Sequence, residues 1–481
     1  MPCTTILVGR KASYDGSTII ARNDDGGFDT KKMVVIDRNQ PSRYKCTISH
    51  LEIELPKKSY RYTAVPNVET KDKGLWCACG INEKNVAMTA TETITSNALV
   101  QGADPLVSYE KDGKNVKVGG IGEEDLLTIV LPYISSAREG VIRTAELLEK
   151  YGTYEMNGMA FADEKEIWWL ETIGGHHFIA VKIPDDRVVM MPNSFGLDYF
   201  DIKDAFGKKV NNICSKDMKE FIKKNHLDIN NDGKFNPKVI FGSHSDQDHL
   251  YNTPRAWFML RYFNPTTYDW INNPPYVPTS DNIPFSTIPE RKVTIEDVKY
   301  VLSSHYQATE YDPYCKSDKA GKYRVIGVPN SDDAGILQIR GYMPEPLKGI
   351  EWMSLGGSGF TAVIPQYVNV ERFPSYLGNT SKEINTNYFY WTSRLIAALT
   401  DAQFHKTTAF DERYQKKVFN KAYEILNEYD AKMIKSKKYD LCNEANEKLA
   451  EMLKKESLSV LNEILKIVDE NMKTRYHRGD N

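Results

Sequence analysis

Two short runs, Cys3-Thr-Thr-Ile-Leu-Val8 and Ser17-Thr-Ile-Ile-Ala21-Arg22, frame a stretch carrying Ser13, Asp15 and Gly16. β-branched residues on both sides of an Asp/Gly turn predict two antiparallel strands, Thr4–Val8 and 17–21, at the very start of the chain. A chain terminus is ordinarily polar and loose, and a cysteine leading into such a strand invites a chemical reading. A register opposing Val8 with Ser17 also opposes Cys3 with Arg22, placing both side chains on one face. There a permanent guanidinium charge favours thiolate over thiol.

Working outward, further strands are expected at 32–37, 166–172, 178–183 and Val188–Met191, and helices at 123–136 and Ala137–Tyr151, the second carried by Val141, Ala145, Leu147 and Leu148. After about Tyr388 the character changes. Between Phe410 and Met472 there is almost no Gly or Pro, and Ala445, Leu449, Met452, Leu453, Leu461, Ile464, Leu465 and Val468 recur at helical spacing. The expectation is an α+β fold, with a domain over residues 1–400 and an α-helical extension over 401–481 packed on it.

Composition narrows the function. Of 481 residues, 41% are hydrophobic and 26% charged, which provides for a real core and excludes a disordered or fibrous chain. Lys plus Arg number 62 against 65 Asp plus Glu, a formal charge of −3, so no global field favours nucleic acid. No run is long and apolar enough to span a bilayer and no secretory leader is seen, so a cytoplasmic protein without a membrane partner is expected. Seven scattered cysteines are too few and too odd in number for a disulfide framework. Cys77 and Cys79 lack the second ligand pair that a zinc site needs and read as buried structural thiols. The loop Asp228-Ile-Asn230-Asn-Asp232-Gly-Lys-Phe-Asn spaces its oxygens like a calcium loop, but Val239 stands where the bidentate carboxylate belongs, so an ordinary turn is favoured.

Cysteine nucleophiles need a base. A cysteine with a free α-amine has one of its own, since the reference values of about 7.7–8.0 for the amine and 8.5 for the thiol make proton transfer between them cost only about 1 kcal/mol. The opening stretch, Cys3 through Arg22-Asn-Asp-Asp25, resembles the dipeptidase A family of N-terminal nucleophile hydrolases, related to the secernins and more distantly to penicillin V acylases and bile salt hydrolases. The resemblance continues in Gly80-Ile-Asn-Glu-Lys-Asn-Val-Ala-Met-Thr-Ala-Thr-Glu92-Thr93, Trp168-Trp-Leu-Glu171-Thr, Met191-Pro-Asn193-Ser-Phe, Thr253-Pro-Arg255, His305-Tyr-Gln-Ala-Thr-Glu-Tyr-Asp-Pro-Tyr314 and Tyr390-Trp-Thr-Ser-Arg-Leu-Ile-Ala-Ala-Leu399.

The resemblance implies an αββα four-layer sandwich and a cysteine dipeptidase acting through an acyl-enzyme. It implies Cys3 as nucleophile and amine base, Arg22 and Asp25 as its electrostatic support, Asn193 as an oxyanion donor, Arg255 as a further active-site cation and Thr93 as a backbone oxyanion donor. Glu92, and after it Glu171, are candidate anions for a substrate ammonium. His305 and the pair His176-His177 are expected to be structural or substrate-side groups. Met1-Pro2 precedes Cys3, and its removal is expected, since Pro2 would block the amine. Dipeptides are the expected partners, self-association is compatible with the sequence, and the mechanism calls for no metal or cofactor. The rival readings are an N-acyl amidase of the penicillin V acylase type and a secernin-like protein with a regulatory or binding role.

Overall fold

The computed structural model describes residues 3–72, 74–112, 115–230 and 233–474, with the side chains of residues 91, 92, 111, 112 and 115 left aside. Seven antiparallel strands form one sheet in the order Ser286–Thr287, Val188–Met191, Thr4–Val8, Thr18–Asp25, Ser331–Ile339, Gly349–Leu355 and Ile364–Tyr367. Six more form a second sheet in the order Asn212–Cys214, His177–Ile183, Ile167–Ile173, Asn157–Ala162, Ala87–Thr93 and Cys79–Ile81. The two stack face to face, with Thr18–Asp25 against Ala87–Thr93 and Asn157–Ala162, and Ser331–Ile339 against Cys79–Ile81.

Helices Glu123–Val130 and Ala137–Tyr151 cover the outside of the six-stranded sheet. Helices Ile295–Leu302, Phe389–Ala402, Phe404–Ser436 and Leu441–Glu470 pack against the seven-stranded one. This is the αββα sandwich expected. Layering explains the opening run: Thr4–Val8 lies inside the first sheet, between the second sheet and outer helices, and all five of its residues are buried. Trp168 and Trp169 divide the second sheet's faces in the same way, Trp168 joining the outer core with Met159 and Phe161, Trp169 the inner one with Ile173 and Ile179.

Three local expectations are corrected. The predicted helix 123–136 stops at Val130, gives way to a 3₁₀ turn over Leu131–Tyr133 carrying Pro132, and the next helix starts at Ala137. The second strand runs Thr18–Asp25, not 17–21, and pairs Val8 with Ile19 and Thr5 with Arg22. That register lies two residues from the expected one because Ser17 is drawn into the turn, where the Asp15 carboxylate accepts from its amide at 3.0 Å and its hydroxyl at 2.6 Å. An even shift keeps every side chain on its face, so Cys3 and Arg22 become diagonal neighbours on the same side.

The C-terminal helices share the main hydrophobic core, through Val418, Ile425, Leu449, Leu453 and Ile464. Helix Phe389–Ala402 runs unbroken through the boundary expected at 400. Among the described residues no helix is long and apolar enough to cross a membrane.

Candidate active site

Cys3 immediately precedes the first central strand and is 1% exposed in a chain that still carries Met1 and Pro2. Arg22, in the middle of the neighbouring strand, directs Nη2 onto Cys3 Sγ at 2.7 Å. The same nitrogen lies 3.4 Å from Asp24 Oδ1, whose other oxygen is 2.7 Å from Lys31 Nζ. All three charges are buried. Burial works against the Asp24 carboxylate, but Lys31 and Arg22 outweigh it and hold that group below its ordinary range. Lys31 thus neutralises most of Asp24, leaving the Arg22 charge to face the sulfur.

Asp25 ends the strand. It bonds Arg324 Nη2 at 2.5 Å and accepts from the Ser331 hydroxyl. Burial pushes its carboxyl up against the pull of Arg324. Arg324 escaped sequence reasoning, since nothing local signals an ion pair spanning 299 residues.

Arg255 is the third residue of helix Thr253–Phe263 and is wholly buried. Its Nη1 donates to the Cys3 carbonyl and to Thr4 Oγ1 at 2.8 Å, its Nη2 to Asn193 Oδ1 and Asn252 Oδ1, both at 2.7 Å, and its Nε to the Tyr251 carbonyl at 2.5 Å. A planar five-donor fork suits such a junction; a lysine could not reach all of these acceptors. Asn193 sits just past strand Val188–Met191 and donates through Nδ2 to the Thr93 carbonyl at 3.0 Å, while Asn252 Nδ2 holds the Asn193 carbonyl at 3.0 Å. Thr93 closes strand Ala87–Thr93 of the opposite sheet, and its hydroxyl lies 3.5 Å from Glu123 Oε2. Asn252 and Glu123 were also missed by the sequence reading, although Asn252 lies one residue ahead of the Thr253-Pro-Arg255 motif.

Cys3, Arg22, Asn193, Arg255 and Thr93 therefore meet where the two sheets come together. The Glu92 side chain lies outside the described residues, as does Asp232 of the calcium-like loop. There Asp228 and Asn230 close the turn on itself, Asp228 Oδ1 accepting from the Asn230 amide at 3.0 Å and Asn230 Nδ2 donating to the Lys234 carbonyl at 3.1 Å.

Glu171 departs from its expected role. It is 0% exposed and spends its oxygens on the chain's own donors, so it does not face a substrate ammonium. His176 and His177 bond Asp104 at 3.0 and 2.7 Å, and His305 bonds Asp312 at 2.9 Å. Cys77 and Cys79 are buried, and desolvation pushes the Cys77 thiol up to about 12 and Cys79 well above the ordinary range.

A buried sulfur against a guanidinium, with an arginine fork tying its backbone to a side-chain amide, is the arrangement of a thiol hydrolase. Comparison with known proteins agrees. The family described as Peptidase family C69 matches residues 2–417. A dipeptidase of Bifidobacterium longum is 53% identical over 431 residues, 87% of this chain and 80% of that protein. A probable dipeptidase A of Streptococcus pyogenes serotype M3 is 44% identical over 488 residues, the full length of both chains. Dipeptidase A of Lactobacillus helveticus is 41% identical over 440 residues, 90% of this chain and 88% of that one. The chain belongs to peptidase family C69 and is a cysteine-type peptidase.

Proposed function

We propose that this peptidase is a dipeptidase in which Cys3 is the nucleophile and its own α-amine the base. The observation that carries the reading is the 2.7 Å contact between Arg22 Nη2 and Cys3 Sγ at the start of a central strand. Dipeptides as substrates follow from the relatives at 41–53% identity.

The α-amine becomes available once the peptide bond before Cys3 is cut. The thiolate then attacks the carbonyl carbon of the dipeptide's peptide bond, forming a C–S bond. The negative charge that develops on the carbonyl oxygen is met by donors at Asn193 and Thr93, each such donor contributing about 3–4 kcal/mol to the barrier reduction in comparable hydrolases. The Cys3 ammonium protonates the departing amine as the C–N bond breaks. The regenerated amine then takes a proton from water, whose oxygen attacks the thioester and releases the second amino acid with the thiol restored. Arg22 holds the sulfur as thiolate, Asp25 with Arg324 supports the amine, and Arg255 fixes Cys3 relative to Asn193.

The test is a dipeptide panel, free and N-acetylated, on wild type and Cys3→Ser, with the N-terminal mass measured on each. Turnover of free dipeptides only, by protein beginning at Cys3, abolished by iodoacetamide and by the substitution and untouched by EDTA, is expected. Preference for N-acetylated substrates would favour an amidase, no turnover by processed protein a binding role, and full activity with residues still attached before Cys3 would end the amine-as-base mechanism.

A further inference from the structure

Glu171 lies in the middle of strand Ile167–Ile173, on the inner face of the six-stranded sheet beside Trp169. One carboxylate oxygen accepts from the Trp169 indole at 3.1 Å and from the Gly196 amide at 2.8 Å, and the other from the Leu197 amide at 3.3 Å. Gly196 and Leu197 belong to the loop that leaves strand Val188–Met191 of the other sheet and carries Asn193 three residues earlier. A side chain of one sheet thus anchors the loop that the other sheet extends into the site. The near arm of this loop is held by Arg255 and Asn252, and the arm beyond Ser194 leans on Glu171.

Two glycines leave room for the neighbours of this contact, Trp169 and Met191. Gly158, paired with Glu171 on the adjacent strand, leaves room for Trp169: a Cβ there would stand 2.3 Å from the Trp169 ring. Gly196 allows an equally close approach on the loop side, where a Cβ would meet Met191 Sδ at 2.2 Å. A fully buried carboxyl is costly, and hydrogen bonds donated to its oxygens offset that cost. Here two adjacent backbone N–H groups need acceptors, and a carboxylate offers them on both oxygens; a glutamine offers one acceptor oxygen and puts an N–H₂ donor in the other place.

We infer that Glu171 is a positioning residue for catalysis, latching the Pro192–Leu197 loop so that the Asn193 amide is held where the oxyanion forms. The inference rests on the proposed oxyanion role of Asn193. Burial pushes the Glu171 carboxyl up to about 7, against the contrary pull of Trp169, Gly196, Leu197 and Lys238. Lys238, on helix Pro237–Phe241, faces it, and Asp198, Asp281 and Asp248 act on Lys238 in turn. The latch closes in the ionised form, because protonation converts an acceptor into a donor opposite an N–H.

The experiment compares Glu171→Gln, Asn193→Ala and the double variant on the dipeptide giving the highest wild-type rate. Because displacement of a catalytic group by about 1 Å can cost about 100-fold, Glu171→Gln is expected to lower kcat by about 10- to 100-fold with KM within about twofold. The double variant is expected to be no more than about twofold slower than Asn193→Ala, since a latch has nothing to position once the amide is gone. Glu171→Gln with kcat within about twofold of wild type, beside a disabled Asn193→Ala, overturns the latch and leaves the oxyanion reading intact. Multiplying losses in the double variant also overturn it, as a general structural role would multiply them. A fully active Asn193→Ala overturns the oxyanion reading itself. Should Glu171→Gln not fold, Glu171→Asp, whose shorter side chain cannot reach Gly196 and Leu197 together, serves instead: a kcat loss of about 10-fold or more that is not multiplied in combination with Asn193→Ala supports the latch, and kcat within about twofold of wild type beside a disabled Asn193→Ala overturns it.

Discussion

Replacing Arg22 by glutamine isolates the interaction on which the chemistry depends. The guanidinium Nη2 lies 2.7 Å from Cys3 Sγ, with both groups buried. Its charge is spread over the group, so about 4 Å separates it from a thiolate; at an effective dielectric of about 20 that is about 4 kcal/mol. At about 1.4 kcal/mol per pH unit, the attraction amounts to roughly three units of thiol titration. Asp24 opposes it from 3.4 Å on the far side of the guanidinium, weakened by Lys31 at 2.7 Å, which trims the expected effect to about two units. Glutamine keeps much of the volume, and the Asp24–Lys31 pair stays matched without Arg22. The pH at which iodoacetamide alkylates Cys3 half-maximally should therefore rise by about two units, and kcat/KM at neutral pH should fall about 100-fold and recover in part at alkaline pH. Alkylation is followed by mass on the Cys3 peptide, which separates it from Cys315, the most accessible of the other thiols. A midpoint in Arg22→Gln within about half a unit of wild type would refute the assignment of Arg22 as the thiolate's counter-charge.

Three further outcomes are expected. Arg255→Lys keeps the charge but cannot span Cys3, Thr4, Asn193 and Asn252 together, so kcat/KM should drop about 100-fold and thermal stability should fall with it; near-wild-type kinetics would show that the fork is dispensable. Glu351 is wholly buried, and desolvation pushes its carboxyl up to about 8, so the native state holds a proton that the unfolded chain releases near pH 4.5. Its contribution is full below that pH and is lost at roughly 1.4 kcal/mol per pH unit as the pH rises towards about 8; Glu351→Gln should be more stable than wild type in urea at pH 8 and little different at pH 5, and an equal offset at both would contradict this. Gly80→Ala would place a Cβ 2.0 Å from the Thr63 carbonyl oxygen, and a rigid backbone clash of that kind should lower stability by about 1–3 kcal/mol or more, read as a clear drop in Tm; an unchanged Tm would show that this edge of the second sheet yields freely.

Part of the site was legible from the residues alone, and the rest only through the family resemblance. Cys3 leads an apolar strand and is announced by its own position, whereas Asn193, in a Pro-Asn-Ser turn, and Arg255, after Thr253-Pro254 at a helix start, take their roles from the family resemblance of the blocks that hold them. The two-residue shift in strand register was not legible, because the pattern of Thr4–Val8 and its partner is buried on both faces and tolerates an even slip. Only the Asp15 turn, closing on Ser17, selects the pairing. The misjudged role of Glu171 has a similar origin: an acidic residue in an otherwise apolar strand signals function, but the identity of what it binds depends on a loop from the other sheet.

Hydrophobic pattern and turn chemistry act over a few residues, and they suffice for the α+β class and for the strand pair that carries Cys3 and Arg22. The tertiary structure alone decided that Arg324 pairs with Asp25, that Lys31 neutralises Asp24, that Asn252 braces Arg255, and that Glu171 faces inward to Gly196 and Leu197. Those contacts join positions separated by up to 299 residues, and the long-range ones form only where the folded layers exclude water and bring a buried charge such as Asp25 against one from a distant segment.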